Sequence, residues 1–459
     1  MEPSVNAVPG TSPAATTPPK RSGWHGIDFH VLMTLLFRGW SILGGAITLL
    51  VVPIFLSPVE QGYYYTFASI LGLHIFFELG LSQVVVQLVG HEVAHLTVGD
   101  RKLEGDRVRI DRVASLVQLL RRWYAVAAIL FGILGGLAGA YFFQHRAQLP
   151  LAAWLPVWIV LAIATSVNLA YTPALALLEG TGRVGNVARL RLVQSLLGYG
   201  GLWLTLVCGG HLWAAATTSV ASAITTAYWV RNEGALYQWL KHLKFLPANQ
   251  IDWRREMLPF QWRIAASWIS GYFIFYAFTP LIFSHRGAAE AGRFGMAMTV
   301  FNSVSSVGMS WINAKAPTFG MLISRGQRSE LNTLFVDVFR RSMIFTAAAS
   351  LAVIMGTYLL SLTGWAFISR IAAPGVIACL GVVCIINCIV FSVATFMRAH
   401  REEPMLPVSV AAGIGTAAIA YWGSMHSILL MSLLYLALNL CMVLPWSVLL
   451  FRRYFQRTA

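Results

Sequence analysis

From residue 39 to residue 451 the chain alternates long uncharged apolar runs with short basic punctuation. The uncharged runs are 39–59, 61–77, 123–145, 147–178, 192–230, 264–285, 294–314, 342–369, 371–397 and 405–451. A helix needs about 20 apolar residues to cross hydrocarbon, so most runs hold one span each. The runs 192–230 and 405–451 hold two, with turns expected at Gly209-Gly210 and between Gly423 and Ser427. The run 61–77 is too short alone, so its helix is expected to continue through Glu78 into 79–90. The pattern predicts an all-α polytopic membrane protein with twelve transmembrane helices.

Composition agrees. Apolar residues make up 57%, charged residues 11%, and the mean hydropathy is +0.66. A soluble domain carries about 25% charge, so most of this chain belongs in lipid. Twelve spans put both termini on one side. With that side cytosolic, the basic residues of the 33 Lys and Arg that fall outside are Arg146, Arg286, Arg293 and Arg370, a strong positive-inside bias. The net charge of +15 is then topology plus attraction to anionic lipid, and no soluble basic face is long enough for nucleic acid. Residues 1–23, rich in Pro, Ser, Thr and Ala, read as a disordered cytosolic tail without a signal-peptide core. Cys208, Cys379, Cys384, Cys388 and Cys441 fall in predicted spans and form no disulfide framework or metal spacing.

The two halves echo each other. Arg38 leads an apolar span to Pro53-Ile54-Phe55-Leu56-Ser57 and then Glu60-Gln61-Gly62. Arg263 leads another to Pro280-Leu281-Ile282-Phe283-Ser284 and then Glu290-Ala291-Gly292. The repeat implies two parallel six-helix lobes, 24–240 and 241–459, around a central cavity, a plan that suits alternating access. The segment 101–122 carries apolar residues at helical spacing between basic ones. That suits a helix on the anionic inner leaflet or an ordinary cytosolic loop helix.

Ions at membrane depth are costly, so they mark a polar path or a ligand. Arg38 and Glu78 lie at similar depth on adjacent antiparallel helices and are expected to pair. His74 sits one turn from Glu78 on the same face, giving either a packing pair or a proton-responsive couple. Arg263 and Lys315 approach the same inner level with no carboxylate on their own helices. Each alone reads as a snorkelling anchor. With Arg38 they form three cations at one level, the pattern that holds a diphosphate. Asn302, Ser306 and Asn313 on helix 8, and Trp268, Tyr272 and Tyr276 on helix 7, recur at helical spacing and could line a glycan path, although such stripes are more often core or lipid-facing. His91-Glu92-Val93-Ala94-His95 matches HExxH, the zinc-protease signature. A protease also needs a third ligand, and the only acid at membrane depth, Glu78, lies on the motif's own helix. No metal or other cofactor is expected.

The stretches Glu60-Gln61-Gly62-Tyr63-Tyr64-Tyr65, Phe76-Phe77-Glu78-Leu79-Gly80-Leu81-Ser82 and Gly90-His91-Glu92 resemble the start of Wzx-type polysaccharide (O-antigen) flippases. In the second half Pro259-Phe260-Gln261-Trp262-Arg263, Ser270-Gly271-Tyr272-Phe273-Ile274-Phe275 and Lys315-Ala316-Pro317 do the same. Those flippases belong to the multidrug/oligosaccharidyl-lipid/polysaccharide (MOP) exporter superfamily. The resemblance implies a bacterial inner-membrane transporter, not an enzyme, that moves undecaprenyl-diphosphate-linked oligosaccharide outward. It implies a cationic cavity on Arg38, Arg263 and Lys315, contact with membrane lipids, and a polysaccharide polymerase or other assembly proteins as partners. The rival readings are a MATE-like multidrug exporter and an HExxH intramembrane metalloprotease.

Overall fold

The computed structural model describes residues 29–99, 101–399 and 404–458, so the tail expected over 1–23 lies outside the described residues. The described chain is helical apart from a two-residue hairpin, Thr97–Val98 with Leu103–Glu104. The first half contains α1 (Phe29–Phe55), α2 (Pro58–Glu78), α3 (Leu81–Val93), α4 (Arg107–His145), α5 (Leu151–Gly180), α6 (Val184–Val207), α7 (Ala214–Asn232) and the short α8 (Ala235–His242). The second half contains α9 (Gln261–Arg286), α10 (Ala288–Gly308), α11 (Ser310–Ser324), α12 (Arg328–Leu362), α13 (Pro374–Arg398), α14 (Leu406–His426) and α15 (Ile428–Arg453).

Among the described residues nine helices are long and apolar enough to cross a membrane, or ten if the bent pair α2–α3 is one span. The other two expected spans fall on α7 and on α10–α11, which are helical but too polar for that test. α7 is rich in Ala, Thr and Ser, while α10 carries Glu290 and Arg293 in its first turns and breaks at Met309. The sequence pattern therefore locates these two helices without establishing that they cross.

Helix 2 is not continuous as expected. It stops at Glu78, and Leu79 (φ 52°) and Gly80 (φ 67°) are both left-handed, which bends α3 by 46° from α2. A left-handed leucine costs roughly 1–2 kcal/mol, so the surroundings must hold it. They do so through close approach. A Cβ at Gly80 would lie 2.5 Å from Ile264 Cγ2 of α9.

α2 starts with a capping box, Ser57 Oγ accepting from Glu60 N at 3.2 Å and Glu60 Oε2 from Ser57 N at 2.8 Å. One face of α2 packs along α10, joining the halves at the end of the bundle with few basic residues, which is the outer end by the charge bias. There Tyr63 stacks on Phe143 at 5.3 Å and meets Phe283 edge-on at 5.0 Å. α1 packs on α6, where Trp203 Nε1 donates to Thr48 Oγ1 at 3.0 Å, and α11 packs on α12.

The basic segment 101–122 is not a separate surface helix. From Arg107 it is the N-terminal part of α4, and its apolar positions Ile110, Val113, Leu116, Val117 and Leu120 are buried in protein rather than laid on lipid. The linker after α8 is stitched to the same part. Asp111, fully buried, accepts from Leu246 N at 3.2 Å and Asn249 Nδ2 at 2.9 Å and pairs with Arg107 at 2.9 Å. Of the five cysteines, all free, Cys208 lies one residue beyond α6 rather than inside it.

Candidate functional site

The lower end of α2 places His74 and Glu78 on the wall of a cavity of about 440 Å³. Glu78 is buried, accepts a hydrogen bond from Ser82 Oγ at 2.6 Å and faces His74 Nε2 at 3.9 Å. His74 Nδ1 lies 2.9 Å from the Leu71 carbonyl, which assigns the Nδ1 proton to that bond and turns Nε2 toward the carboxylate.

The opposite walls come from α5, α6 and α7. Asn168 Nδ2 donates to the Ser219 carbonyl at 3.1 Å, and Ser222 Oγ donates to Asn168 Oδ1 at 3.0 Å. Gln194 Nε2 donates to Thr226 Oγ1 at 2.6 Å. Amide and hydroxyl groups buried in lipid-spanning helices need partners, and this network supplies them while leaving lone pairs toward the cavity. Sequence reasoning missed these residues. Their signal was single amides, Asn168 and Gln194, inside otherwise uncharged apolar runs.

Arg38 does not pair with Glu78. It is exposed on α1, which packs against α6 rather than beside the lower half of α2. Arg263 is exposed, with its guanidinium 5.6 Å from the ring of its neighbour Trp262. Lys315 is exposed on α11. None of the three makes an ion pair with a described residue. At 1.5 Å per residue Arg38 lies roughly 28 Å along α1 from the turn at Ser57, and Arg263 roughly 34 Å along α9 from its end at Arg286. Against a hydrocarbon core of about 30 Å, these lengths put both near the far end of a span rather than at its middle.

Of the aromatic stripe, Tyr276 reaches the 440 Å³ cavity and stacks on Tyr272 at 5.9 Å, while Trp268 packs against Gly80 of the α2–α3 break. The polar stripe is split. Asn302 lines a separate cleft in the second half with Ser305, Asn387 and Tyr435, whereas Ser306 and Asn313 are exposed and line none of the cavities described.

The HExxH segment has no zinc geometry. Glu92 is buried and engaged by Arg112 at 2.9 Å and Arg109 at 3.5 Å, and His91 and His95 are exposed. No three potential ligands converge among the described residues.

No family model matches the chain, and no curated protein sequence matches it. Solved structures do. The chain is similar to the inward-facing conformation of a multidrug resistance MATE family transporter of the MOP superfamily, with a TM-score of 0.64 at 13% identity over 94% of this chain and 99% of that one. It is similar to the outward-facing conformation of such a transporter, with a TM-score of 0.59 at 12% identity over 93% and 96%. It is also similar to a MOP superfamily transporter from Pyrococcus furiosus described as having a binding pocket of reverse polarity, with a TM-score of 0.58 at 13% identity over 94% and 95%. The chain has the fold of the MOP superfamily transporters, MATE proteins included.

Proposed function

We propose that the protein is an alternating-access transporter of the bacterial inner membrane, with twelve crossings in two lobes and both termini cytosolic. Its cargo is an anionic lipid-linked oligosaccharide carried on a diphosphate. The observation that carries this reading is the imbalance of charge facing the inner side. Arg38, Arg263 and Lys315 are exposed without acidic partners. The buried acids are already engaged, Glu78 by Ser82 and His74, Glu92 and Asp111 by arginines. A cationic drug would meet repulsion at that entrance. A lipid diphosphate reaches the inner headgroup level with its charge at the height of the three cations, and arginine forks match its oxygens. The polar cavity around Asn168 and Gln194 then suits hydroxyl-rich sugars.

A MATE-like drug exporter is the second reading, favoured by the MATE neighbours and by one carboxylate in a polar cavity. The two readings separate in a null strain. The flippase reading expects lost surface polysaccharide, restored by the wild-type gene and not by Arg263→Ala or Lys315→Ala at equal protein level. Arg38→Ala should reduce export while leaving abundance intact, because no carboxylate depends on it. Normal polysaccharide together with hypersensitivity to cationic drugs would overturn the glycan reading in favour of drug export.

A further inference from the structure

Four arginines defy the charge bias of the chain, and three of them gather in one place. Arg286 ends α9, Arg293 lies in the second turn of α10, and Arg370 ends the turn before α13. An outward arginine opposes the topology signal, and three together repel, so their convergence calls for a compensating charge.

Arg286 and Arg293 line an open cavity of about 370 Å³ at the outer end, with Glu290 and His426. Each guanidinium is held in position by carbonyls that orient it without neutralising it. Arg286 donates to Ser424 O at 3.1 Å and Met425 O at 3.3 Å, and Arg293 donates to Ser369 O at 2.7 Å. Glu290 takes one further bond from Arg293 at 2.8 Å and is the only carboxylate among the residues lining the cavity. His426 Nδ1 is tied to Trp422 O at 2.9 Å. Ser427, Ile428 and Leu429 also line the cavity, and the first amides of α15 have no acceptor within their own helix. Next door, Arg370 donates one nitrogen to Leu56 O at 2.8 Å and keeps Nη1 buried without a partner.

We propose that this outer cavity is a binding site for a phosphate group at the outer headgroup level, with Arg286 and Arg293 as its ligands. The site is distinct from the inner cations and does not depend on which cargo is carried. Its chemistry fits the phosphate of an outer-leaflet lipid as well as a free phosphate ion, and the volume admits a diphosphate.

The test uses the full chain in nanodiscs of neutral phosphatidylcholine, reading thermal stability during titration with inorganic pyrophosphate or with phosphatidylglycerol. Wild type should be stabilised saturably by at least one of them. Saturation by pyrophosphate alone identifies a free anion, and saturation by the lipid identifies a headgroup. Arg293→Gln should weaken the midpoint about tenfold, and Arg146→Gln, an outer arginine elsewhere, should leave it unchanged. Arg286 also caps α14, so its variants could lose stability outright. Glu290→Gln removes the one opposing charge and should tighten the midpoint severalfold, a gain that misfolding cannot imitate. Absence of saturable stabilisation, or equal midpoints in wild type, Arg293→Gln and Glu290→Gln, would overturn the site.

Discussion

The two Glu-x-Gly turns of the internal repeat meet at the outer seal, and this fixes what one methyl group should do. A Cβ at Gly62 would lie 1.9 Å from Ala288 O and 2.4 Å from Ala288 C, whereas real Cβ contacts do not fall below 3.0 Å. A Cβ at Gly292 would lie 2.8 Å from Gly62 N. The obstructing atoms are backbone, so no rotamer change relieves the clash, and α2 and α10 must separate. The seal has little slack. Gln61 Nε2 donates to Arg370 O at 3.1 Å and Gly292 O at 3.3 Å, and Ala288 N donates to Gln148 Oε1 at 3.0 Å. Overpacking of this kind costs about 1–3 kcal/mol. Only the outer-closed state bears it, so Gly62→Ala should raise the outer-open fraction roughly 5- to 100-fold. The assay is a cysteine at Ala68, which lines the cavity below the seal, in a Cys208→Ser, Cys441→Ser background because both of those cysteines are exposed. Labelling of intact cells by an impermeant maleimide should accelerate by at least fivefold in Gly62→Ala. Gly200→Ala, where nothing lies within 4 Å, should leave the rate unchanged. An unchanged rate in Gly62→Ala at normal abundance would refute the assignment of this crossing as the outer seal.

Two further outcomes concern the cytosolic side. Glu92→Gln removes the shared partner of Arg109 and Arg112. Losing one member of a buried pair costs about 3–5 kcal/mol, and less here because Arg112 keeps Glu256, Arg109 keeps Asp106 at 3.9 Å and both arginines reach water. It should lower the melting temperature with no change in zinc content, and stoichiometric zinc in the wild type lost in His91→Ala would restore the protease reading. Burial acts to raise the Glu256 carboxyl, but hydrogen bonds from Arg112 and the Asp252 amide outweigh it and hold it below its ordinary value of 4.5. A lowered folded value means the stabilisation is complete above the unfolded value and fades as pH falls through the folded one. Wild type should therefore exceed Glu256→Gln by about 1 kcal/mol or less at pH 7, after screening by solvent and salt. Thermal melts should show the gap narrowing as pH falls below 4.5, and a gap that stays constant or widens on acidification would contradict the mechanism.

The parts legible in the sequence are those that depend on order along the chain. Run lengths locate the helices, and the Glu-x-Gly echo marks the residues that meet at the outer seal. Orientation around each helix axis was not legible. Arg38 and Glu78 share a depth, but pairing needs α1 beside the lower half of α2, and α1 packs on α6 instead. The Glu78-Leu79-Gly80 break was hidden for a related reason. A leucine is a poor predictor of left-handed backbone, and only contact with Ile264 and Trp268 shows why the chain turns there. The 440 Å³ cavity combines side chains from α2, α5, α6, α7 and α9. Each contributes one to three polar residues, and on α5, α6, α7 and α9 these are uncharged, so no single helix reads as functional.

This division bears on what sort of transporter the fold supports. The outer seal is built from backbone, glycine against carbonyl, so its closed state is defined to a fraction of an ångström. Toward the inner side the exposed cations are Arg38, Arg263 and Lys315 on α1, α9 and α11, which make no ion pair with a described residue and could be neutralised from outside the protein. A binding group that arrives from the cytosolic leaflet and bridges these cations would attract helices of both halves toward each other. A ligand shifts a conformational equilibrium only by its differential affinity for the two states. An anion that spans cations on both halves has that difference, and a neutral or cationic molecule does not. If the cargo is the anion proposed above, its binding would therefore close the inner side, with the Gly62–Gly292 crossing parting as the outer side opens.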